Sequence, residues 1–338
     1  MVLLVQNGET NNGSTNGRKR SAAMREHVLT GFRRLLGTAF ALLVLSIAVV
    51  DANAVTADAY LESGIRKAEH EDYPGAVRDF SQSIKLKPNN PEAFYNRGLA
   101  RGFMGDLKGA IADYTKTILL DPRAVGAYNN RGFTRAVFGQ YAQAVADISK
   151  AIALDPKKPE LYNNRGTVRT SMKDYRGAIA DFNRSLELDP TLAGVYNNRG
   201  LAKGFVGDLT GAVEDFTTSV TIDQRYAAAW YNRGNIKVSL DDAAGAIEDY
   251  TKALVLDPKM LVALNNRAFA RIRLADYPGA ISDLGRFIEI DPRNASGWYN
   301  RGVVKKLSGD RAGAITDLKR AAQLGDSLAS EALKELLP

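Results

Sequence analysis

The sequence predicts an all-α chain, an array of antiparallel helix pairs, and three observations carry that prediction. The string Asn-Arg-Gly recurs at a fixed step of 34 residues, from Asn96-Arg97-Gly98 to Asn300-Arg301-Gly302, with Asn266-Arg267-Ala268 as a variant. Alanine holds one position of that period eight times running, from Ala76 to Ala314. Asp-Pro pairs punctuate the periods at Asp121-Pro122, Asp155-Pro156, Asp189-Pro190, Asp257-Pro258 and Asp291-Pro292. A period of about 20–50 residues marks a repeat architecture, in which one supersecondary unit buries its apolar face only by stacking on its neighbours.

The segment before the array reads as an address. Gly37 to Val50 is an apolar run, preceded by Arg33-Arg34 and followed by Ala52-Asn53-Ala54, the basic, apolar and small-x-small order of a secretory signal peptide. As a helix its 14 residues rise about 21 Å, short of the ~30 Å hydrocarbon core. Residues 1–54 are therefore expected to be an N-terminal extension and signal peptide cleaved after Ala54, which exports the chain to the periplasm or cell envelope. An uncleaved segment would instead be a membrane anchor, and this is the sequence's sole route to a membrane. Met24 to Ala54 already has the length of a signal peptide, so Met1 to Ala23 reads as an upstream extension or a mis-set start.

Composition narrows the chemistry. There is no cysteine, which excludes disulfides, thiolate metal sites, cysteine nucleophiles and a lipidated cysteine. The histidines are His27 and His70 alone, too few for imidazole catalysis or a multi-histidine metal site. Neither a Walker-type phosphate loop nor H-E-x-x-H occurs, and Gly98, Gly102 and Gly105 lie on a helix and its turn with no strand before them. No cofactor, metal or catalytic residue is expected, and the chain is not expected to be an enzyme. Of 45 basic and 38 acidic residues, six and three fall in the first 54, leaving 39 against 35. So mild an excess disfavours nucleic acid as the partner.

The repeats begin at Ala57, Pro91, Val125, Pro159, Ala193, Ala227, Leu261 and Ala295, spanning 57–90, 91–124, 125–158, 159–192, 193–226, 227–260, 261–294 and 295–328. Helix A is expected over about positions 2 to 14, then a turn such as Gly105-Asp106, then helix B over about 18 to 30. Proline biases its predecessor away from the helical region, so each Asp-Pro ends a helix B. Position 4 is Tyr60, Phe94, Tyr128, Tyr162, Tyr196, Trp230, Leu264 and Trp298. With small residues at 8 and 20 on facing stripes, that ring is expected to fill the space left by close backbone approach. Residues 327–337 read as one more amphipathic helix capping the array.

This pattern resembles the tetratricopeptide repeat family over residues 57–328, with an aromatic at position 4, Gly at 8, Ala at 20 and Pro at 32. The resemblance implies a right-handed α-solenoid superhelix over 55–338. It also implies a protein- or peptide-binding scaffold whose concave face is lined by helix A. Two departures stand out. Gln224 replaces the position-32 proline, which is expected to lengthen helix B or loosen that joint. Phe287 replaces a small residue at position 27, so packing there should differ.

Arginine at position 7 in seven repeats (Arg97 to Arg301) and Lys or Arg at position 11 in all eight (Lys67 to Lys305) also depart from the family. Position 23 is aspartate throughout, Asp79 to Asp317. A basic ladder could take an anionic ligand, but acidic and basic stripes in step favour internal pairing that sets helix register.

The concave face implied by the resemblance reads as aromatic, apolar and amide. Its candidates are Tyr95, Asn96, Leu99 and Phe103; Asn129, Asn130, Phe133 and Val137; Asn163, Asn164 and Thr167; Asn197, Asn198, Leu201 and Phe205; Tyr231, Asn232 and Asn235; Asn265, Asn266 and Phe269; and Tyr299, Asn300 and Val303. Spacings of four and eight residues put such side chains on one helix face. Phe103, Phe133, Phe205 and Phe269 are either exposed anchors or packing between neighbouring helices. Asparagine recurs at position 6 from Asn96 to Asn300, and in a superhelix of this family a similar ladder holds an extended peptide by its main chain, the amide offering donor and acceptor together. The expected partner is thus a protein or an extended peptide. A glycan stacked on Tyr and Trp, or self-assembly into a structural element, are the alternatives.

Overall fold

A computed structural model describes residues 56–336, so the signal peptide and its expected cleavage after Ala54 lie outside the described residues. Among the described residues there are seventeen helices and no strand, and they fall into two compact bodies, the chain dividing between Asp189 and Pro190. The first holds α1 (Ala57–Glu69), α2 (Tyr73–Leu86), α3 (Pro91–Phe103), α4 (Leu107–Leu120), α5 (Val125–Val137), α6 (Tyr141–Leu154), α7 (Pro159–Ser171) and α8 (Tyr175–Leu188). The second holds α9 (Ala193–Phe205), α10 (Leu209–Ile222), α11 (Ala227–Ser239), α12 (Ala243–Leu256), α13 (Leu261–Arg273), α14 (Tyr277–Ile290), α15 (Ala295–Leu307), α16 (Arg311–Gln323) and α17 (Ser327–Leu336). From α1 to α16 the odd helices are helix A and the even ones helix B. Within each body a helix A packs on its own helix B and on the helix B before it, and α17 packs on α16.

Each helix A starts on the first residue of its period, one residue earlier than the sequence reading. The turn to helix B uses a left-handed residue, glycine at Gly105 (φ 82) but also Glu71, Lys173, Asp241 and Ala275 (φ 57 to 65). In all repeats but the third, where Gln140 follows the turn, an aspartate comes next and caps helix B, as where Asp174 accepts from the Gly177 N–H at 3.0 Å, satisfying one of the orphan amides of the helix start. Gln224 does not lengthen its helix: α10 has 14 residues, as have the B helices on either side of it, α8 and α12. The Gln224 carbonyl accepts from Trp230 Nε1 at 3.0 Å, as the Pro292 carbonyl does from Trp298. The joint uses that carbonyl, which glutamine and proline both supply.

The side chain that fills the close approach is at position 24, a ring in five repeats and Ile148, Leu284 or Leu318 in the others, not the ring at position 4. A Cβ on Gly64 or Gly166 would lie 2.6 Å from the ring of Phe80 or Phe182, so glycine at position 8 is what lets helix B's ring reach the helix A backbone. The position-20 alanines, Ala76 to Ala314, are fully buried. The position-4 rings lie instead under the position-7 guanidinium groups, 4.7 to 5.9 Å away, from Phe94 to Trp298, within cation–π range.

Those arginines are committed inside the repeat, as the matched stripes foretold. Each reaches the aspartate of its own helix B at 2.5 to 2.7 Å. The position-11 cation reaches the same carboxylate at 2.6 to 3.0 Å. Several arginines also donate to a hydroxyl on the helix B of the repeat before, Arg97 to Ser81, Arg165 to Ser149 and Arg267 to Thr251 among them. In the first repeat Ser63 stands in for arginine. Burial alone would raise the Asp79 pKa, but hydrogen bonds from Lys67 and Ser63 outweigh it and hold the carboxyl below its ordinary value.

Phe287 is enclosed by Leu254, Ala263 and Leu264. Room for it comes from Gly297 on α15, where a Cβ would lie 2.6 Å from the ring; the other repeats carry Ala, Leu or Val at that position. The large and the small residue form one packing unit across the repeat junction.

Two tests follow from this packing. Arg165→Ala leaves Asp181 buried with Arg169 as its remaining cation, and should lower stability by about 3 kcal/mol, read from the urea midpoint. Arg184→Ala, whose partner Glu187 is exposed, should leave the midpoint in place. Gly297→Ala should destabilise by about 1–3 kcal/mol and Phe287→Ala by about 3–5 kcal/mol. The double variant should fall short of their sum by at least about 0.5 kcal/mol, because the added methyl enters the vacated space. Strict additivity would show the two positions to be independent.

Candidate functional site

Helix A carries the candidate residues because positions 5, 9 and 13 share one of its faces, while position 6 turns toward the neighbouring helix A. From Asn130 onward the position-6 amides therefore meet other amides. In the first body Asn164 Nδ2 donates to Asn129 Oδ1 (3.0 Å), Asn129 to Asn130 (3.0 Å) and Asn130 to the Tyr95 hydroxyl (3.1 Å). The second body repeats the relay four repeats on: Asn300 to Asn265 (2.7 Å), Asn265 to Asn266 (3.4 Å), and Asn266 to both Tyr231 (3.2 Å) and Asn235 (2.9 Å). Asn232 donates to Asn197 (2.9 Å), and Asn197 to Asn198 (3.4 Å). Asn130, Asn164 and Asn300 are each only 3% exposed. The amide ladder thus joins repeat to repeat, since a buried amide left without a partner would cost about 1–3 kcal/mol.

The other candidates divide by depth. Leu99, Asn129, Phe133, Asn197, Asn265, Tyr299 and Val303 are buried, and Phe133 belongs to the core with Leu99, Tyr114 and Ala127. Phe103 is half-buried and stacks on Tyr73 of α2, centroids 4.6 Å apart and rings 7° from parallel. Tyr95, Asn96, Val137, Asn163, Thr167, Asn198, Leu201, Tyr231, Asn232, Asn235, Asn266 and Phe269 are half-buried, and Phe205 is 63% exposed. Of the four phenylalanines, then, Phe133 and Phe103 pack between elements, while Phe205 and Phe269 present ring surface.

Tyr95, Asn96 and Leu99 come together at a cavity of about 430 Å³ in the first body. Its remaining wall is Ile65, Pro91, Glu92, Thr117, Asp121, Ala124, Gly126 and Ala127, residues that the face pattern of helix A missed. Two signals could have found it. Leu61 holds position 5 of the first repeat, where later repeats carry Asn or Tyr, and Gly126 leaves room over the Tyr95 hydroxyl, 2.7 Å from where its Cβ would stand. Burial pushes the Tyr95 hydroxyl pKa up to about 12, against the hydrogen bond from Asn130, so the group stays protonated at neutral pH.

The chemistry on offer is recognition by rings, amides and apolar walls. Among the described residues no three His, Cys, Asp or Glu side chains are placed to hold a metal ion, and no helix is long and apolar enough to cross a membrane.

Comparison with known proteins agrees with this geometry. Residues 159–192, 227–260 and 91–123 match models described as tetratricopeptide repeat, and 67–102 one described as TPR repeat. No curated protein matches the chain. A tetratricopeptide repeat protein from Parabacteroides merdae is similar in structure, with 17% identity, a TM-score of 0.54, and 73% of this chain and 99% of that one covered. Pseudomonas aeruginosa pilF is similar at 20% identity and a TM-score of 0.54, covering 63% of this chain and 98% of its own. Against the Cut9-Hcn1 hetero-tetramer of the APC/C the figures are 17%, 0.55 and 85%, and this chain spans 57% of that one. At such identities the likeness is one of fold. The 34-residue period, the tandem antiparallel pairs and the matched repeats together make this chain a tetratricopeptide repeat protein.

Proposed function

We propose that the chain is a non-enzymatic scaffold of the cell envelope or periplasm that holds an extended segment of another protein along its helix A faces. The fold is that of scaffolds for protein–protein or peptide contacts, which supports the general reading. The observation that carries the finer one is the cavity at Tyr95, Asn96 and Leu99, which opens on a helix A face and joins apolar wall to amide and hydroxyl. A volume of about 430 Å³ suits one long side chain and the peptide unit bearing it. In the second body Leu201 and Phe269 offer half-buried apolar surface and Phe205 an exposed ring. An extended segment laid over such faces gains apolar burial and main-chain hydrogen bonds together.

Export rests on the sequence of residues 1–54 alone. N-terminal sequencing of the protein recovered from the envelope should begin at Val55. A chain that keeps Gly37 to Val50 would make the segment an anchor.

The binding reading is tested with the full chain as bait in envelope extract. It should retain proteins, and tryptic peptides from them should bind in isolation. Phe205→Ser with Phe269→Ser should weaken that binding by roughly 1–3 kcal/mol in all if both rings are anchors, with the urea midpoint little changed. Retention of polysaccharide in place of protein would favour the glycan reading. Binding that collapses with rising salt while ignoring the ring variants would move the ligand to the seam cations.

A further inference from the structure

The cavity in the first body differs from its counterpart four repeats on, and the difference has a chemical sense. Asn96 has no hydrogen-bond partner among the described residues, because Leu61 precedes it where an amide or hydroxyl would stand. The matching Asn232 is taken by Asn197. Glu92 corresponds to Ala228, and Gly126, which leaves the Tyr95 hydroxyl open, corresponds to Val262. The Tyr95 hydroxyl accepts from Asn130 and its own proton has no acceptor among the described residues. An amide without a partner, a hydroxyl proton and a glycine opening thus coincide at one cavity, and its counterpart lacks the first and the last.

The charge of the wall is of one sign. Glu92 and Asp121 line the cavity and no Lys, Arg or His does. Asp121 gives one oxygen to the Arg123 backbone N–H at 2.9 Å, which leaves the second for a ligand, and no ion pair of Glu92 is formed among the described residues. Ile65, Leu99, Pro91 and Ala127 supply apolar surface below these carboxylates.

We infer that this cavity receives a lysine or arginine side chain of the bound segment. The aliphatic stem lies on Leu99 and Ile65, the cationic head meets Glu92 and Asp121, and Asn96 takes the adjoining peptide unit by its donor and acceptor together. This rests on the peptide-binding reading above and adds the chemistry of one residue of the ligand. The cavity acts as a specificity pocket, setting the register of the segment by one charge.

The test uses the full chain on an array of random decapeptides. Bound sequences should share one Lys or Arg at a fixed register. Re-synthesis of a bound peptide with norleucine there should weaken it about three- to tenfold, as a partly exposed ion pair allows. Replacing that residue by glutamate should weaken it further. In Glu92→Gln with Asp121→Asn, which keeps the acceptor for the Arg123 N–H, the norleucine and parent peptides should bind alike. Asp257→Asn, the matching change in the second body, should leave the preference intact, and an unchanged urea midpoint in each variant checks the fold. Comparing lysine with arginine peptides decides which head group is preferred. Peptides bound without any cation preference, or a preference that survives Glu92→Gln with Asp121→Asn, would overturn this inference and leave the scaffold reading standing. An array that binds nothing would overturn both.

Discussion

Every repeat is organised around a buried aspartate of helix B that helix A holds in place, with two cations in seven repeats and with Lys67 and the Ser63 hydroxyl in the first. Removing a carboxylate from water costs several kcal/mol, so the side chain is tolerated only where cations and hydrogen-bond donors meet it in good geometry. That requirement fixes how far helix B can slide along helix A. In six repeats the position-7 arginine also lies over the aromatic ring of its own helix, and in at least five it donates to the helix B before it. One guanidinium group thus ties three elements together, and the register of one repeat is passed to the next. The small residue at position 8 and the large one at position 24 set the distance between the helices; the seam sets their alignment.

The amides form a second system that runs between repeats. Each asparagine has donor and acceptor on one short side chain, so a row of them can close its hydrogen bonds with its own kind. Tyrosine ends a run, as Tyr95 and Tyr231 do. Where the pattern lacks a partner, a group is left over: the Tyr114 hydroxyl is buried and unpaired beside Leu99, whereas Tyr250 in the second body donates to Asn235 at 2.8 Å.

The fold was legible because its determinants are periodic. Thirty-four-residue spacing, the position-20 alanines and the matched charges each recur often enough for one instance to vouch for the next, and helix bounds came within a residue. The site was legible only in part. Position 6 reads equally as a ladder for a ligand or as a bond between repeats, because both uses want an exposed-looking amide on helix A; which helix lies beside it decides, and that is a property of packing. Phe133, open between anchor and packing in the sequence, lies in the core for the same reason. The cavity at Tyr95 was missed because it arises from exceptions to the period, Leu61 and Gly126, which periodic reasoning discounts. Gln224 misled in the opposite sense, as an exception whose backbone carbonyl serves as proline's does.

The seams also change what the charge of this protein means to a molecule that touches it. Beyond Ala54 the chain has 39 basic and 35 acidic residues, of which the seams hold 15 and 8, leaving 24 basic against 27 acidic side chains elsewhere. From a distance the chain is a cation, and its net field draws anions and repels bases. At contact the sign reverses, because the excess positive charge sits in paired, half-buried groups and the side chains outside the seams are slightly acidic. Attraction on approach and fit on docking therefore select for different partners, and a ligand chosen by the second must arrive against the first. Salt then speeds its approach by screening the repulsion and speeds its departure by weakening the contact ion pairs, so the two effects fall on different rates and oppose each other in the affinity.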